Sequence, residues 1–437
     1  MHRPALARHR QMAALLAIAL AGLGLAACAK TASPSSLDTA ADVQLTWWTG
    51  QSEDAEQAAE ALAKEFTQLH PNVTIKASSG APTTPDLLQK LTAAFASDTY
   101  PDVSYAYGAW MGRLADSGKT LDFTEKVTAA DIKWDEFPEP ARITASPGGR
   151  VVGFPALVDV LSLVYNKTLF DEKGLAYPTK DWTWQDFREA SKALTDPSRQ
   201  IVGTSFLVSG DEDAVWRLWP QVWQNGGAIS DADGNPTFDS PAGAEALVLW
   251  RQMTVDDQSV YLDNTGVKHI PMFASGKMGM IITGPWSLYD ITQGGVDYGV
   301  TFLPGTDGDH QSISGPDIWA AFDHGDPNRA YWTFEFLAWL TSADVDKRWS
   351  IASGNLPLRS SEKASPEFAT LIETYPGMDV MEANLEAVVQ ARPTHDSYVT
   401  LSRNVGEAIS QVLQGGVSPQ EALSQAAAKT RDAMAAE

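Results

Sequence analysis

Beyond residue 42, apolar positions recur with two alternating periods. Residues 43–48 form a short, uncharged run rich in β-formers. Residues 53–69 then carry Ala55, Ala59, Leu62 and Phe66 at helical spacing until Pro71 stops the helix. The same pattern predicts a strand at 72–77, a helix at 85–97 and a third strand at 101–105. Strand and helix in alternation predict an α/β unit with a largely parallel sheet. Ligands of such sheets sit beyond the carboxyl ends of the strands. That rule selects Trp48, Gln51 and Glu53 after the first strand, and Tyr107 and Trp110 after the third.

From 151 to 165 the chain is almost continuously apolar, interrupted by Pro155 and by one acid, Asp159. Helices expected at 183–195 and 213–224 enclose a strand at 201–208, and a further helix covers 241–256, which makes a second α/β unit. Between them, the acids of Asp231-Ala232-Asp233-Gly234-Asn235 suggest calcium but lack the spacing of an EF-hand loop, so the segment reads as a polar turn. The chain continues through an apolar stretch at 273–282, a Gly284-Pro285-Trp286 turn, a strand at 298–303, a helix at 329–341 and a helical C-terminus.

Ahead of this body, Arg3, Arg8 and Arg10 precede an apolar run from 12 to 25 that is short for a membrane span, which is the pattern of a signal peptide over 1–27. The run closes on Leu25-Ala26-Ala27-Cys28, which resembles the lipobox of bacterial lipoproteins. Cys28 is the single cysteine of the chain, so it cannot form an internal disulfide and is expected to be a lipid attachment point. Residues 28–42, rich in Ser, Thr and Ala, read as a flexible tether. The formal charge is −23 at pH 7, and the three leader arginines would be lost from the mature chain. Such a surface disfavours nucleic acid, which is held by Lys and Arg. A body of roughly 395 residues is expected to form two lobes rather than one core.

The chain holds 15 Trp. Indole faces suit the C–H patches of sugar rings, while carboxylates and amides at the rim suit sugar hydroxyls. Most of these Trp are expected to pack lobe interiors. Trp48, Trp110, Trp216, Trp286 and Trp319 stand instead where a cleft is expected, at a strand end, at a helix start or after Gly-Pro turns.

Seven segments then carry a resemblance over nearly all of the mature chain: LTWWTG, PDVSYAYGAWMGRLADSGKTLDFT, VVGFPALVDVLSLVYNKTLF with TWQDFREA, FASGKMGMIITGPW, YGVTFLPG, GNLPLRSS, and ARPTH with QVLQGGVSPQEAL. In this order they resemble the extracellular solute-binding proteins of the sugar-import class, the maltose-binding-protein-like family. The resemblance implies an α/β, two-lobed periplasmic-binding-protein-like (type II) fold with a hinge and an interlobe ligand cleft. It places lobe 1 at 43–156 and 303–340 and lobe 2 at 157–302 and 341–437. It also implies closure around a di- or oligosaccharide and delivery to an ABC permease at the outer face of the cytoplasmic membrane, by a monomer without a cofactor or metal. By position, Asp159 falls where the family has a sugar-binding glutamate, Trp286 on a stacking tryptophan, and Trp216 near a stacking tyrosine. Gln51 and Trp110 replace an aspartate and an arginine, and Asp317 and Arg359 are further candidates by motif.

Three other functions fit less well. A secreted glycosidase would also combine Trp with paired acids, but no eightfold strand-helix repeat is visible. No G-x-S-x-G elbow supports a serine hydrolase. A glycerophosphate ligand would need Arg or Lys converging on phosphate, whereas the candidate positions are mostly aromatic and acidic.

Overall fold

The computed structural model describes residues 36–436, apart from 52, 82–83 and 130–131 and the side chains of 53, 54, 84 and 85. Cys28, the leader and most of the tether lie outside the described residues, as does the side chain of Glu53. Among the described residues, no helix is long and apolar enough to cross a membrane, and no group of three or more His, Cys, Asp or Glu could hold a metal ion.

The body has two lobes, the first built on one sheet and the second on two. In the first, β1 (Val43–Trp48), β2 (Val73–Ser78), β3 (Val103–Ala106), β4 (Gly153–Leu157) and a late strand, β10 (Asp317–Ala321), take the order β2-β1-β3-β10-β4. In the second, β5 (Ser162–Asn166), β8 (Met280–Thr283) and β9 (Tyr298–Thr301) form an antiparallel sheet, and β6 (Thr204–Leu207) pairs with β7 (Val260–Asp263) in parallel. The apolar run at 151–165 thus resolves into two strands in different sheets. The expected parallel order holds for β2, β1 and β3, but β10 runs antiparallel to both of its neighbours. It enters the sheet on its return from the second lobe, from the opposite end. Sequence periodicity missed β10 because its signal is one short apolar run behind Gly-Pro-Asp.

Local chemistry explains the layers. Helix α1 (Glu53–Leu69) buries Ala59, Leu62, Ala63 and Phe66, one face of a 3.6-residue period. The Phe66 ring meets Phe336 at 5.2 Å and Trp339 at 5.3 Å, both on the helix Pro327–Leu340. Trp47 of β1 meets Phe336 at 5.2 Å and Trp319 of β10 at 5.1 Å. Fully buried rings of this size contribute roughly 2–3 kcal/mol each. Trp319 is therefore a core residue, not a cleft residue. It lies on the same face of β10 as Asp317 but one pleat further from the strand end, roughly 7 Å along, under Trp47, Tyr105 and Trp349. The helix expected over 213–224 is broken into Glu212–Val215 and Trp219–Gln224, with Pro220 in the first turn of the second piece.

Arg359 is also structural. Its guanidinium lies 4.2 Å from the Phe137 ring centroid and donates to the carbonyls of Thr341 and Ile132 at 2.6 and 2.8 Å. It pins the Leu-Pro-Leu-Arg segment to the 132–137 turn. In the Asp231 turn, the Asp231 carboxylate accepts the backbone N–H groups of Asp233 and Asn235, the arrangement of a polar turn.

Asp102, with no exposed surface, joins three elements of the first lobe. It accepts the Thr46 N–H and hydroxyl of β1 and a two-pronged pair from Arg329, each prong 2.8 Å. Replacing Arg329 with Ala would leave a buried carboxylate without its cation. We expect a loss of about 2–3 kcal/mol of stability, read as a lower urea midpoint with an unchanged slope.

Candidate functional site

A cavity of about 300 Å³ opens among residues at strand ends and in the segments that connect the sheets. From the first lobe it takes Gln51 beyond β1, Tyr105 and Tyr107 at the end of β3, and Asp317 at the start of β10. The antiparallel run of β10 is what places Asp317 there, because Ile318 pairs with Ala106 at the carboxyl end of β3. From the segments between and beyond the sheets come Asp159, Glu212, Asp213, Trp216, Trp286 and Arg392. Ser353 and Asn355 close one side.

The aromatic pair is set by two local devices. After β8, the Trp286 indole folds back over Gly284, where an added Cβ would lie 2.0 Å from the ring, so glycine is required. Trp216 ends the Glu212–Val215 turn, whose N-cap is Asp211. Its Nε1 donates to Asp213 at 3.1 Å. The two indole centroids are 5.8 Å apart with planes at 38°.

The polar groups fall into two layers. Arg392 donates to Glu212 at 2.9 Å, and Glu212 also accepts from Tyr398 at 3.0 Å and from Ser402. Arg217 donates to Asp213 at 3.0 Å and to the Ile282 carbonyl at 2.6 Å. Deeper, Asp317 accepts from the Tyr105 hydroxyl and, at 3.3 Å, from the Gly108 N–H. Asp159 accepts the Gly315 N–H at 2.6 Å. At Gly315 an added Cβ would meet Asp159 Oδ1, Arg392 Nη2 and the Trp216 ring within 3.0–3.2 Å, so these three side chains converge on one point. Burial, helped by the nearby Asp317 charge, pushes the Asp159 carboxyl up to about 8. Burial also raises Asp317 to about 6, against the pull of Arg392.

Of the positions selected from sequence, Gln51, Tyr107, Asp159, Trp216, Trp286 and Asp317 line this cavity. Trp48 does not. Its ring lies under Lys90 Nζ at 4.1 Å, on the flank of the first sheet. Trp110 is buried behind Tyr107, with ring centroids 5.1 Å apart. Arg392, Glu212, Asp213 and Asn355 were not selected. Arg392 and Asn355 sit inside the ARPTH and GNLPLRSS segments, where the motif alone does not mark which side chain points inward. A larger cavity of about 750 Å³ shares the 390–396 loop and is lined by Asp116, Arg150 and Asp231 among others. It lacks a buried polar centre: Asp231 is held in its own turn and the His395 ring bonds Ser397 at 2.8 Å. The smaller cavity is therefore the candidate site.

Comparison with known proteins places this architecture. Residues 61–377 match the family described as bacterial extracellular solute-binding proteins. A maltotriose-binding protein of Pyrococcus abyssi is 24% identical over 73% of this chain and 67% of its own length. A sn-glycerol-3-phosphate-binding periplasmic protein of Brucella melitensis is 23% identical over 82% and 83%. Among solved structures, the cyclic alpha-maltosyl-1,6-maltose binding protein of Arthrobacter globiformis superposes with a TM-score of 0.76 at 26% identity. That match covers 89% of this chain and 98% of the other.

The raised Asp159 carboxyl gives a pH signature. Its folded value exceeds the unfolded one, so the folded state loses stability as pH rises from about 4 to about 8. Asp159→Asn removes that penalty. The variant's melting temperature should exceed that of the parent most at pH 8.5, and the gap should narrow towards pH 5.

Proposed function

We propose, starting from the fact that this chain belongs to the bacterial extracellular solute-binding proteins, that it is the carbohydrate-binding component of an ABC importer. In this reading it captures a di- or oligosaccharide outside the cell and hands it to the permease. The observation that carries this is the pair of indoles, Trp216 and Trp286, set over a layer of buried hydrogen-bonding side chains. Aromatic plates take the C–H faces of sugar rings, and the carboxylates, Gln51 and Asn355 take hydroxyls. The relatives named for maltotriose and for a cyclic maltosyl-maltose support the ligand class.

The chain passes from the first sheet to the second between β4 and β5 and returns between β9 and β10. We place the hinge at these crossings and a third near Leu340-Thr341, so that lobe 1 is 43–156 and 303–340 and lobe 2 is 157–302 and 341–437. Closure around the ligand is then the state offered to the permease. The protein works as a monomer tethered through lipidated Cys28 on the outer face of the membrane, and it catalyses nothing.

A glycerophosphate ligand is the second reading, favoured by the Brucella relative. Phosphate recognition needs free guanidinium or ammonium groups. Arg392 is already bound to Glu212 and feels the charges of Asp317 and Asp159 beyond ion-pair distance, which weighs against an anion.

Ligand identity is testable by thermal unfolding of the purified protein against mono-, di- and oligosaccharides and glycerophosphates, with the sugars checked for breakdown. A ligand bound by the folded state raises the midpoint by mass action. We expect a shift with a sugar and no products; products would convert the protein into a glycosidase. Trp286→Ala should weaken binding of the sugar found by about 2 kcal/mol, as for central aromatic contacts, roughly thirtyfold, with the unfolding midpoint of the empty protein little changed. Unaltered affinity would remove Trp286 from the site.

A further inference from the structure

The charge balance of the cavity is unequal. Among the described residues lining it, Asp159, Glu212, Asp213 and Asp317 carry carboxylates and Arg392 carries the one positive group. Arg392 is matched to Glu212, and Arg217, just behind the wall, is matched to Asp213. Asp159 and Asp317 remain. Their partners among the described residues are backbone N–H groups and the Tyr105 hydroxyl, with no cation at ion-pair distance. Both are nearly buried, 8% and 5% exposed.

Two carboxylates in one enclosed space cannot both stay ionised cheaply, because each loses hydration and repels the other. The groups that face them confirm the imbalance. Asp159 feels Asp317 from β10, Arg392 from the 390–396 loop and Arg217. Asp317 feels Arg392, the Tyr105 hydroxyl from β3 and Glu212. The net effect leaves both carboxyls raised, so the empty pair holds a proton near neutral pH. A neutral sugar leaves that situation unchanged. A cation placed between them would let both ionise, and the faces of Trp216 and Trp286 would add to its attraction.

We infer that the ligand carries a positively charged nitrogen, as an amino sugar or another cationic polyol, seated between Asp159 and Asp317. The inference rests on the reading of this cavity as the ligand site, and it narrows the carbohydrate class to members bearing an amine.

The test is isothermal titration of the purified protein at pH 6.5 with matched probes: cellobiose and maltose against their 2,2′-diamino counterparts, and glycerol 3-phosphate against glycerophosphocholine. The amine-bearing member of at least one sugar pair should bind at least tenfold more tightly than its neutral partner. Titration in buffers of different ionisation enthalpy should show about one proton released per ligand, since the pair gives up the proton it held. In the double variant Asp159→Asn with Asp317→Asn the preference should vanish, the two members of each sugar pair binding with similar affinity whatever their absolute strength. Proton release is measured on the unmodified protein, so it stands even if the double variant folds poorly. Binding of glycerophosphocholine in preference to glycerol 3-phosphate, with the amino sugars excluded, would overturn the amino-sugar assignment and the sugar-import reading together. A neutral sugar that binds as tightly as its amine counterpart, without proton release, overturns the inference and leaves the sugar-import reading intact. Failure of every probe to bind removes both.

Discussion

The insertion of β10 between β3 and β4 is the constraint on which the rest depends. The strand arrives after all the strands of the second lobe, β5 to β9, so the first sheet is complete only once the chain has come back. Because it arrives antiparallel, its first residue meets the carboxyl end of β3 rather than the amino end. That geometry brings Asp317 to Tyr105 and Gly108, and sends Trp319 one pleat deeper to meet Trp47 and Trp349. One strand of five residues therefore closes the core and supplies a polar group to the cavity.

Local pattern made much of this legible. The period of α1, the strand at 43–48 and the candidate positions after β1 and β3 follow from spacing and strand direction, and Gln51 and Tyr107 do line the cavity. Asp159 stood out as an acid within an apolar run. Gly284 before Pro285 gave a reason to single out Trp286. What spacing could not supply was contact between distant segments. Arg392 and Glu212 meet across 180 residues of sequence, and nothing in either neighbourhood marks them as partners. Trp319 and Arg359 were misplaced for the same reason. Trp319 follows a Gly-Pro turn and Arg359 sits in a family motif, yet each is covered by elements from elsewhere in the chain, Trp47 and Trp349 in one case and Phe137 in the other.

The acidity of the molecule has two unlike components. Most of its carboxylates are solvated, where they keep the body apart from its neighbours and contribute little to the fold. A few are buried, and these divide again. Asp102 is ringed by donors and holds the first lobe together. Asp159 and Asp317 are short of positive charge, and burial raises both. A fold retains such groups at a cost in stability, which is typical of positions kept for binding rather than packing.

The 390–396 loop has a further consequence. Its Thr394 carbonyl presses on Gly112 of the helix Met111–Asp116 closely enough that an added Cβ there would lie 1.9 Å away, and the His395 ring presses on Gly234 in the same manner. Arg392 points from this loop into the cavity, while its neighbours Thr394 and His395 pack against two buried glycines in separate segments. The backbone that carries Arg392 is therefore clamped on two sides, so the guanidinium is held in place by the packing of its neighbours as well as by its pairing with Glu212.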